Sequence, residues 1–269
     1  MNQCHLPSVL QKLPKAEANG PDGSDFSTLE YQIGYSFVCR GLLRVALTIG
    51  SWTNEHQSCG WPDNSCLEFL GDAVLDLCAA ETIWLKFPQL DEGGLTRLRA
   101  SLVSERSLAQ VAENIELGKW IFAGKGDDRI GARDRPSTLA DCVEALLGAV
   151  FLDAKNDQRP SQETAMPVFM KLFGARISAM EIDDGVDAKS KLQELCQSKF
   201  QIAPSYVGQL NENDSRSDLP QWTARALVEL RDGRQIELGA GTAPNRRDAE
   251  QKAARMALRL KALEKIATT

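Results

Sequence analysis

The chain has 269 residues, which is long for one hydrophobic core and predicts two domains of roughly 100 to 200 residues each. Hydrophobic residues make up 43% and charged residues 25%, near the averages of folded globular proteins, which excludes wholesale disorder, collagen and coiled coil. The longest apolar run, Ala145–Leu152, is far shorter than the ~18 residues that a transmembrane helix needs, so no membrane partner is expected. Seven cysteines without a C-x-x-C pair argue against a disulfide framework and against zinc.

The N-terminal two thirds of the chain predict an all-helical domain, because apolar residues recur at spacings of three and four. The first 24 residues lack the apolar segment of an export signal, and predict a flexible tail of a cytoplasmic protein. The predicted helices are Leu29–Tyr35, Arg40–Leu47, Cys66–Phe87, Glu92–Ser101, Glu105–Asn114, Ser137–Asp153 and Thr164–Phe173. The predicted division is a tail over 1–24, a helical domain over 25–181, a linker over 182–186 and a second domain over 187–265.

The C-terminal domain has a different pattern. An amphipathic helix, Ala188–Phe200, precedes three short strands and a last helix, and Asp232-Gly233 predicts a hairpin turn between the last two strands. The predicted strands and final helix are Ser205–Leu210, Trp222–Leu230, Gln235–Leu238 and Arg247–Lys265. From Asp187 onward 14 Lys and Arg face 11 Asp and Glu, a balance of +3, whereas the rest has 17 against 26, a balance of −9. This asymmetry indicates that the second domain binds a polyanion.

Two apolar helices carry acids on one face. Glu68, Asp72 and Asp76 recur every four residues, and Asp141 and Glu144 stand three apart. Buried like charges are unfavourable unless something neutralises them. Oxygen ligands without a nearby His or Cys favour Mg²⁺, with Mn²⁺ as an expected substitute, and such a site is typical of phosphoryl chemistry. The alternative interpretation is an ordinary solvated helix face.

The local sequences around these acids decide between the two interpretations. Residues 64–75, NSCLEFLGDAVL, resemble the signature of the ribonuclease III family, and residues 139–150, LADCVEALLGAV, resemble its second acidic helix. Residues 97–104 and 124–126 match further family segments, and the C-terminal domain resembles a double-stranded RNA-binding domain. The resemblance covers residues 29–263 and implies an all-α nuclease domain followed by a small α+β domain of α-β-β-β-α order.

The resemblance implies an endoribonuclease that hydrolyses double-stranded RNA with Mg²⁺, leaves 5′-phosphate and 3′-hydroxyl ends, acts as a homodimer and needs no small-molecule cofactor. The expected substrates are precursors of ribosomal RNA and structured messenger and transfer RNA transcripts. The implied metal ligands are Glu68, Asp141 and Glu144, the implied catalytic residues are Asp72 and Glu144, and the secondary acids are Glu92 and Asp127.

The RNA-binding residues follow from helix faces and from the same resemblance. Ser190, Gln193 and Gln197 share the polar face of the first helix of the second domain, where hydroxyl and amide groups suit the minor groove. Arg246 and Arg247 start the last helix, whose N-terminal dipole favours phosphate, and Arg255 is expected to extend that contact.

The sequence departs from the family at three places. Ser65 stands where many bacterial members have Glu, and residues 48–51 read TIGS instead of Thr-His-x-Ser. The loop over residues 211–221 is acidic, which predicts weaker RNA binding or a loop folded away from the RNA. Gly71 lies inside a helix and predicts close packing there.

Two other functions remain open from the sequence alone. The chain could be a catalytically inactive scaffold that binds double-stranded RNA, or a metal-dependent phosphohydrolase of small substrates. A scaffold tolerates loss of the four acids, whereas a nuclease does not.

Overall fold

A computed structural model describes residues 19–181, 187–211, 221–230 and 233–259. The chain divides into two compact units, residues 1–180 and residues 181–269. The predicted linker, most of the predicted tail and most of the acidic loop lie outside the described residues. No helix in the described ranges is both long enough and apolar enough to cross a lipid bilayer.

The first unit is all-helical over the residues described, which confirms the predicted fold class. Its helices are α1 Ser27–Ile33, α2 Arg40–Ala46, α3 Gly50–Glu55, α4 Ser65–Lys86, α5 Glu92–Leu102, α6 Glu105–Asn114, α7 Lys125–Arg129, α8 Pro136–Asn156 and α9 Ser161–Ala179. Short 3₁₀ turns occur at Gln57–Cys59, Leu117–Trp120 and Ala132–Asp134. The sequence pattern missed α3 and α7, which have no buried residues and therefore no apolar periodicity.

Helix α8 forms the centre of the first unit. Helices α2, α4, α6 and α9 pack around it, and most of its side chains are buried. Asp153 is fully buried near its end and accepts hydrogen bonds from Tyr35 Oη at 2.8 Å and from the backbone N–H groups of Val38 at 2.9 Å and Cys39 at 2.8 Å. This carboxylate therefore ties α8 to the connection between α1 and α2.

Helix α9 is longer than the predicted Thr164–Phe173 at both ends. Pro160 is its N-cap residue. At the other end Lys86 Nζ donates to the carbonyl oxygens of Ile177, of Ser178 at 3.2 Å and of Met180 at 3.3 Å. The last carbonyls of a helix have no hydrogen-bond partner within that helix. Lys86, the last residue of α4, supplies this partner and so stabilises the end of α9.

The second unit has the predicted α-β-β-β-α order. It consists of α10 Ala188–Phe200, β1 Ser205–Asn211, β2 Gln221–Glu229, β3 Gln235–Ala243 and α11 Arg246–Arg259. The three strands form an antiparallel sheet in the order β1-β2-β3. The buried side chains of α10 and α11 pack with the inner face of this sheet into a second hydrophobic core.

Strand β3 extends to Ala243, five residues beyond its predicted end at Leu238. Gly239 and Gly241 lie inside the strand, where the backbone of α11 packs closely against it. A Cβ atom at Gly239 would stand 2.6 Å from the carbonyl oxygen of Ala253, and one at Gly241 would stand 2.5 Å from the backbone nitrogen of the same residue. These glycines let helix and strand backbones approach each other.

Candidate functional site

Helices α4 and α8 cross at a pair of glycines. A methyl group at Gly71 would overlap the carbonyl oxygen of Glu144, and one at Gly148 would overlap the carbonyl oxygen of Leu67. The two backbones therefore touch at this point, which confirms the close packing predicted at Gly71. Glu68 and Asp72 flank Gly71, so the crossing brings them to the acidic face of α8.

The acids at this crossing are electrostatically coupled. Burial raises the pKa of Glu68, and the charges of Asp141, Asp63 and Asp72 raise it further. Burial also raises the pKa of Glu144 to about 7, with further contributions from Asp72, Asp141, Glu68 and Asp76. The sequence thus brings its four predicted acids, two from each helix, into one partly exposed cluster.

Asp76 does not share this environment fully, although it continues the stripe of Glu68 and Asp72. Its carboxylate lies 3.7 Å from Arg99 Nη1 of α5, with both side chains partly exposed. Asp76 is therefore paired with Arg99 of a neighbouring helix, although its charge still contributes to the raised pKa of Glu144.

The cluster suits a hard divalent cation by its donor chemistry. All of its donors are carboxylate oxygens, which Mg²⁺ prefers. Burial, with smaller contributions from neighbouring carboxylates, raises the pKa of Glu68, Asp141 and Glu144, and a bound cation would favour their ionised forms. In the described part of the chain no three His, Cys, Asp or Glu side chains are already gathered closely enough to enclose a metal ion. Helix packing therefore brings the four carboxylates to one crossing without enclosing a metal site in the described residues.

Two further acids near the cluster escaped the sequence analysis. Burial raises the pKa of Asp141, and the charge of Glu105 raises it further. Asp63 acts in the same way on Glu68, and its carboxylate accepts the backbone N–H of Ser65 at 3.2 Å. Glu105 follows Ser104 in the first turn of a helix, a pattern that sequence reasoning attributes to helix initiation.

The two secondary acids lie at other places in the first unit. Glu92 begins α5, accepts a hydrogen bond from Thr96 Oγ1 at 3.0 Å and lines a cavity of about 670 Å³ with Trp84 and Arg99. Asp127 lies in α7. The Glu55 carboxylate stabilises the first turn of this helix by accepting hydrogen bonds from the backbone N–H groups of residues 125 and 126, at 3.0 Å and 3.4 Å. Neither Glu92 nor Asp127 is among the charges that shift the pKa of Glu68 or Glu144.

In the second unit the predicted contact residues of α10 are exposed. Ser190, Gln193 and Gln197 lie on one face, opposite the buried Leu192. Asp187 caps this helix by accepting the backbone N–H of Ser190 at 3.2 Å and its hydroxyl at 3.0 Å. Ser190 therefore contributes to the helix start as well as to the polar face.

The predicted basic residues of α11 fall into two groups. Arg246 and Arg247 are exposed in its first turn. Arg255 lines a cavity of about 470 Å³ with Lys252, Arg259 and Glu181, a set that does not include the first-turn pair. The structure thus brings Arg246 and Arg247 together and places Arg255 elsewhere on the helix.

Comparisons with known proteins match both units. The family profile described as Ribonuclease-III-like matches residues 40–167, and the profile described as Double-stranded RNA binding motif matches residues 188–261. The Ribonuclease 3 of Pelotomaculum thermopropionicum is 40% identical over 240 residues, which cover 88% of this chain and 94% of the relative. That of Natranaerobius thermophilus is 37% identical over 238 residues, covering 88% and 97%. Among solved structures, the nuclease domain of ribonuclease III from Campylobacter jejuni aligns with a TM-score of 0.48 and 36% identity over 55% of this chain and 96% of that one.

Proposed function

This chain belongs to the ribonuclease III family and is an endoribonuclease, and we propose that it hydrolyses double-stranded RNA with Mg²⁺, leaving 5′-phosphate and 3′-hydroxyl ends. The observation that carries the proposal is the convergence of the four acids at the Gly71–Gly148 crossing. A cation would stabilise the ionised form of these partly buried carboxylates, and a divalent cation also supplies the charge that phosphodiester hydrolysis uses.

In the proposed mechanism Glu68, Asp141 and Glu144 would hold the metal ion. A divalent ion held there would supply positive charge for activation of the attacking water and for stabilisation of the departing 3′-oxygen. Asp72 is exposed beside these ligands and accepts a hydrogen bond from the attacking water, which orients the water for in-line displacement at phosphorus. As the P–O3′ bond breaks, the attacking water would release its proton to the Asp72 carboxylate and the departing 3′-oxygen would take up a proton from bulk water, so neither transfer requires a histidine.

A cleavage assay on a long labelled RNA duplex tests this function. The wild-type chain should cut the duplex, but not the single strands, in Mg²⁺ and more weakly in Mn²⁺, and EDTA should abolish cutting. Glu144→Gln and Asp72→Asn should each lower the rate at least about 100-fold, as expected for loss of an essential metal or water contact. Glu113→Gln is the matched control, because Glu113 is exposed on α6.

Binding and end chemistry are measured in parallel. Both active-site variants should still shift the duplex in a gel in Ca²⁺, and the wild-type products should accept a 3′ extension and be ligated without prior 5′ phosphorylation. Wild-type binding without any cutting would refute the nuclease and leave the scaffold. Cutting that persists in Glu144→Gln would refute the assigned site.

The second unit is proposed to recognise the RNA by its shape. A-form RNA exposes 2′-hydroxyl groups in a wide minor groove and phosphates across the major groove. Ser190, Gln193 and Gln197 offer donors and acceptors to the former, and Arg246 and Arg247 offer cations to the latter. Arg255 remains a weaker candidate because it lines a different part of the surface.

We propose that the enzyme acts as a homodimer. Three apolar side chains of α4 are exposed on one stripe of the helix: Phe69 is 84% exposed, Leu77 48% and Trp84 63%. We infer that these side chains belong to the face through which two chains associate. Light scattering should give twice the 29.5 kDa of one chain. Phe69→Asp should shift the mass toward the monomer, whereas Tyr31→Asp, a change at a residue that is 85% exposed on α1, should not.

The natural substrates proposed are duplex arms in precursors of ribosomal RNA and in structured messenger and transfer RNA transcripts, and the proposed compartment is therefore the cytoplasm. Duplex regions of transcripts present the A-form geometry that the second unit is suited to read. Sequencing of RNA ends after depletion of the enzyme should show loss of paired cuts on opposite sides of such arms.

A further inference from the structure

Glu250 is a buried carboxylate in the first half of α11. Its side chain is 12% exposed, and it accepts from Lys189 Nζ at 2.6 Å and from Arg246 Nε at 2.9 Å. Burial raises the pKa of this carboxyl, but the hydrogen bonds and charges of Lys189 and Arg246 outweigh burial and lower the pKa below its ordinary value. Glu250 is therefore ionised at neutral pH, in a domain that is proposed to bind a polyanion.

Contacts with α10 and with β1 fix the position of Glu250. Lys189 belongs to the first turn of α10, and its Nζ lies 4.6 Å from the centre of the Tyr206 ring on β1. A second bridge joins the same helices, because Gln251 Nε2 donates to Asp187 Oδ1 at 2.9 Å. The carboxylate is therefore anchored by helix and sheet rather than held by one flexible side chain.

Arg246 is held by Glu250 on one side and by the sheet on the other. A Cβ atom at Gly208 of β1 would stand 3.5 Å from Arg246 Nε and 3.6 Å from its Cγ, so the arginine stem runs across the glycine. The Arg246 side chain is nevertheless 58% exposed. Its guanidinium is therefore fixed through Nε while the side chain remains accessible to a ligand.

We propose that Glu250 is a positioning residue for RNA binding that acts through Arg246. The inference rests on the proposed function, since it requires Arg246 to contact RNA phosphate. A carboxylate near phosphate is electrostatically unfavourable, so it benefits binding only by fixing the cation beside it. A long side chain normally loses conformational entropy when it binds, and this loss weakens the complex. If the side chain is already ordered in the free protein, the complex avoids the loss, and the affinity is about 3- to 10-fold higher.

The test compares affinities of the full chain for a labelled RNA duplex of about 20 base pairs, longer than the ~16 that one such domain spans. Binding is followed by fluorescence anisotropy in Ca²⁺ between about 50 and 200 mM KCl. Glu250→Gln should weaken binding about 3- to 10-fold, although it removes a negative charge. Glu237→Gln is the control, because Glu237 is 48% exposed on β3 and also faces an arginine, at 3.9 Å. Glu237→Gln should leave the affinity for the duplex unchanged or raise it slightly.

A double-mutant cycle separates positioning from general destabilisation. Arg246→Gln should weaken binding and reduce the salt slope by about one. If Glu250 acts through Arg246, adding Glu250→Gln to Arg246→Gln should cause no further loss, whereas a structural role would cause the same loss in both backgrounds. Glu250→Asp retains the charge but shortens the side chain, so it should weaken binding as Glu250→Gln does. If Glu250→Gln fails to fold, Glu250→Asp takes its place in the double-mutant cycle.

The outcomes distinguish the inference from the function on which it rests. Unchanged or tighter binding by the Glu250 variants, with Arg246→Gln still weakened, overturns the positioning role and leaves RNA binding by Arg246 intact. Equal losses in both backgrounds also overturn it. Arg246→Gln without effect refutes the RNA contact of Arg246 itself.

Discussion

Replacing Glu144 by Gln should stabilise the metal-free protein while it abolishes cleavage. Burial and the charges of Asp72, Asp141, Glu68 and Asp76 raise the pKa of Glu144 to about 7. The ionised carboxylate is thus unfavourable in the folded state when no cation is present. Glutamine has nearly the same shape and carries no charge, so it removes this penalty.

The magnitude follows from the pKa. A value of about 7 against an ordinary 4.5 corresponds to about 3 kcal/mol at roughly 1.4 kcal/mol per pKa unit. Partial solvent access reduces the expected gain to about 1–3 kcal/mol. Since the folded pKa is raised, the protein loses this stability as pH rises from about 4.5 through about 7. The gain of Glu144→Gln should therefore be complete near pH 8.5 and fall to about a quarter near pH 5.

Differential scanning calorimetry in EDTA, at fixed protein concentration, measures the effect. For a unit of this size 1–3 kcal/mol corresponds to about 2–10 °C in the Tm of the nuclease transition. Adding Mg²⁺ should raise the Tm of the wild type more than that of Glu144→Gln, because the variant has lost a ligand. Glu113→Gln, which changes an exposed acid, should show no such pH-dependent gain. Equal Tm values for the wild type and Glu144→Gln near pH 8.5, or a difference independent of pH, would refute the reasoning.

Three further substitutions test the packing that supports the site. Gly148→Ala should destabilise the fold by more than about 3 kcal/mol in urea unfolding, because its methyl group would overlap a backbone carbonyl. The control is Gly174→Ala, whose methyl group would have its nearest contact 4.0 Å away and which should stabilise the fold by about 0.5–1 kcal/mol. Equal effects of the two substitutions would contradict the tight crossing. Lys86→Met should lower stability by about 1–2 kcal/mol and speed proteolysis near the end of α9, and unchanged cleavage there would argue against the cap. Asp153→Asn should lower the free energy of unfolding by about 2–4 kcal/mol, because an amide cannot accept all three hydrogen bonds that this buried carboxylate receives; a smaller loss would show that the site relaxes.

The sequence predicted those elements whose periodicity and end signals agree. Helix α6, Glu105–Asn114, and helix α10, Ala188–Phe200, have the predicted bounds, because each combines a buried stripe with a clear start. The end of α9 could not be predicted, since its cap is Lys86 from another helix. The predicted end of β3 at Leu238 was wrong, because the close packing that Gly239 and Gly241 permit depends on α11, which local sequence does not reveal.

The sequence placed acids on two helix faces but could not give the geometry that brings the two faces together. The spacing of Glu68 and Asp72 placed them on one helix face, as the structure has them, but Asp76 of the same stripe pairs with Arg99. Nothing in the spacing distinguishes the three acids, because the partner of Asp76 comes from a separate helix. Glu250 was equally inaccessible to sequence reasoning, since a glutamate four residues after an arginine usually indicates an exposed helix pair.

The contact between Gly71 and Gly148 also determines how the acidic cluster can move. With the two helix backbones touching, the carboxylates cannot separate through a hinge or a loop, and they disperse only when the central helices themselves come apart. Amide hydrogens near the crossing should therefore exchange at the rate of global unfolding, with or without Mg²⁺. Backbone packing thus keeps the like charges in place, so the proposed ion binding would require rotation of carboxylates and no reordering of the backbone.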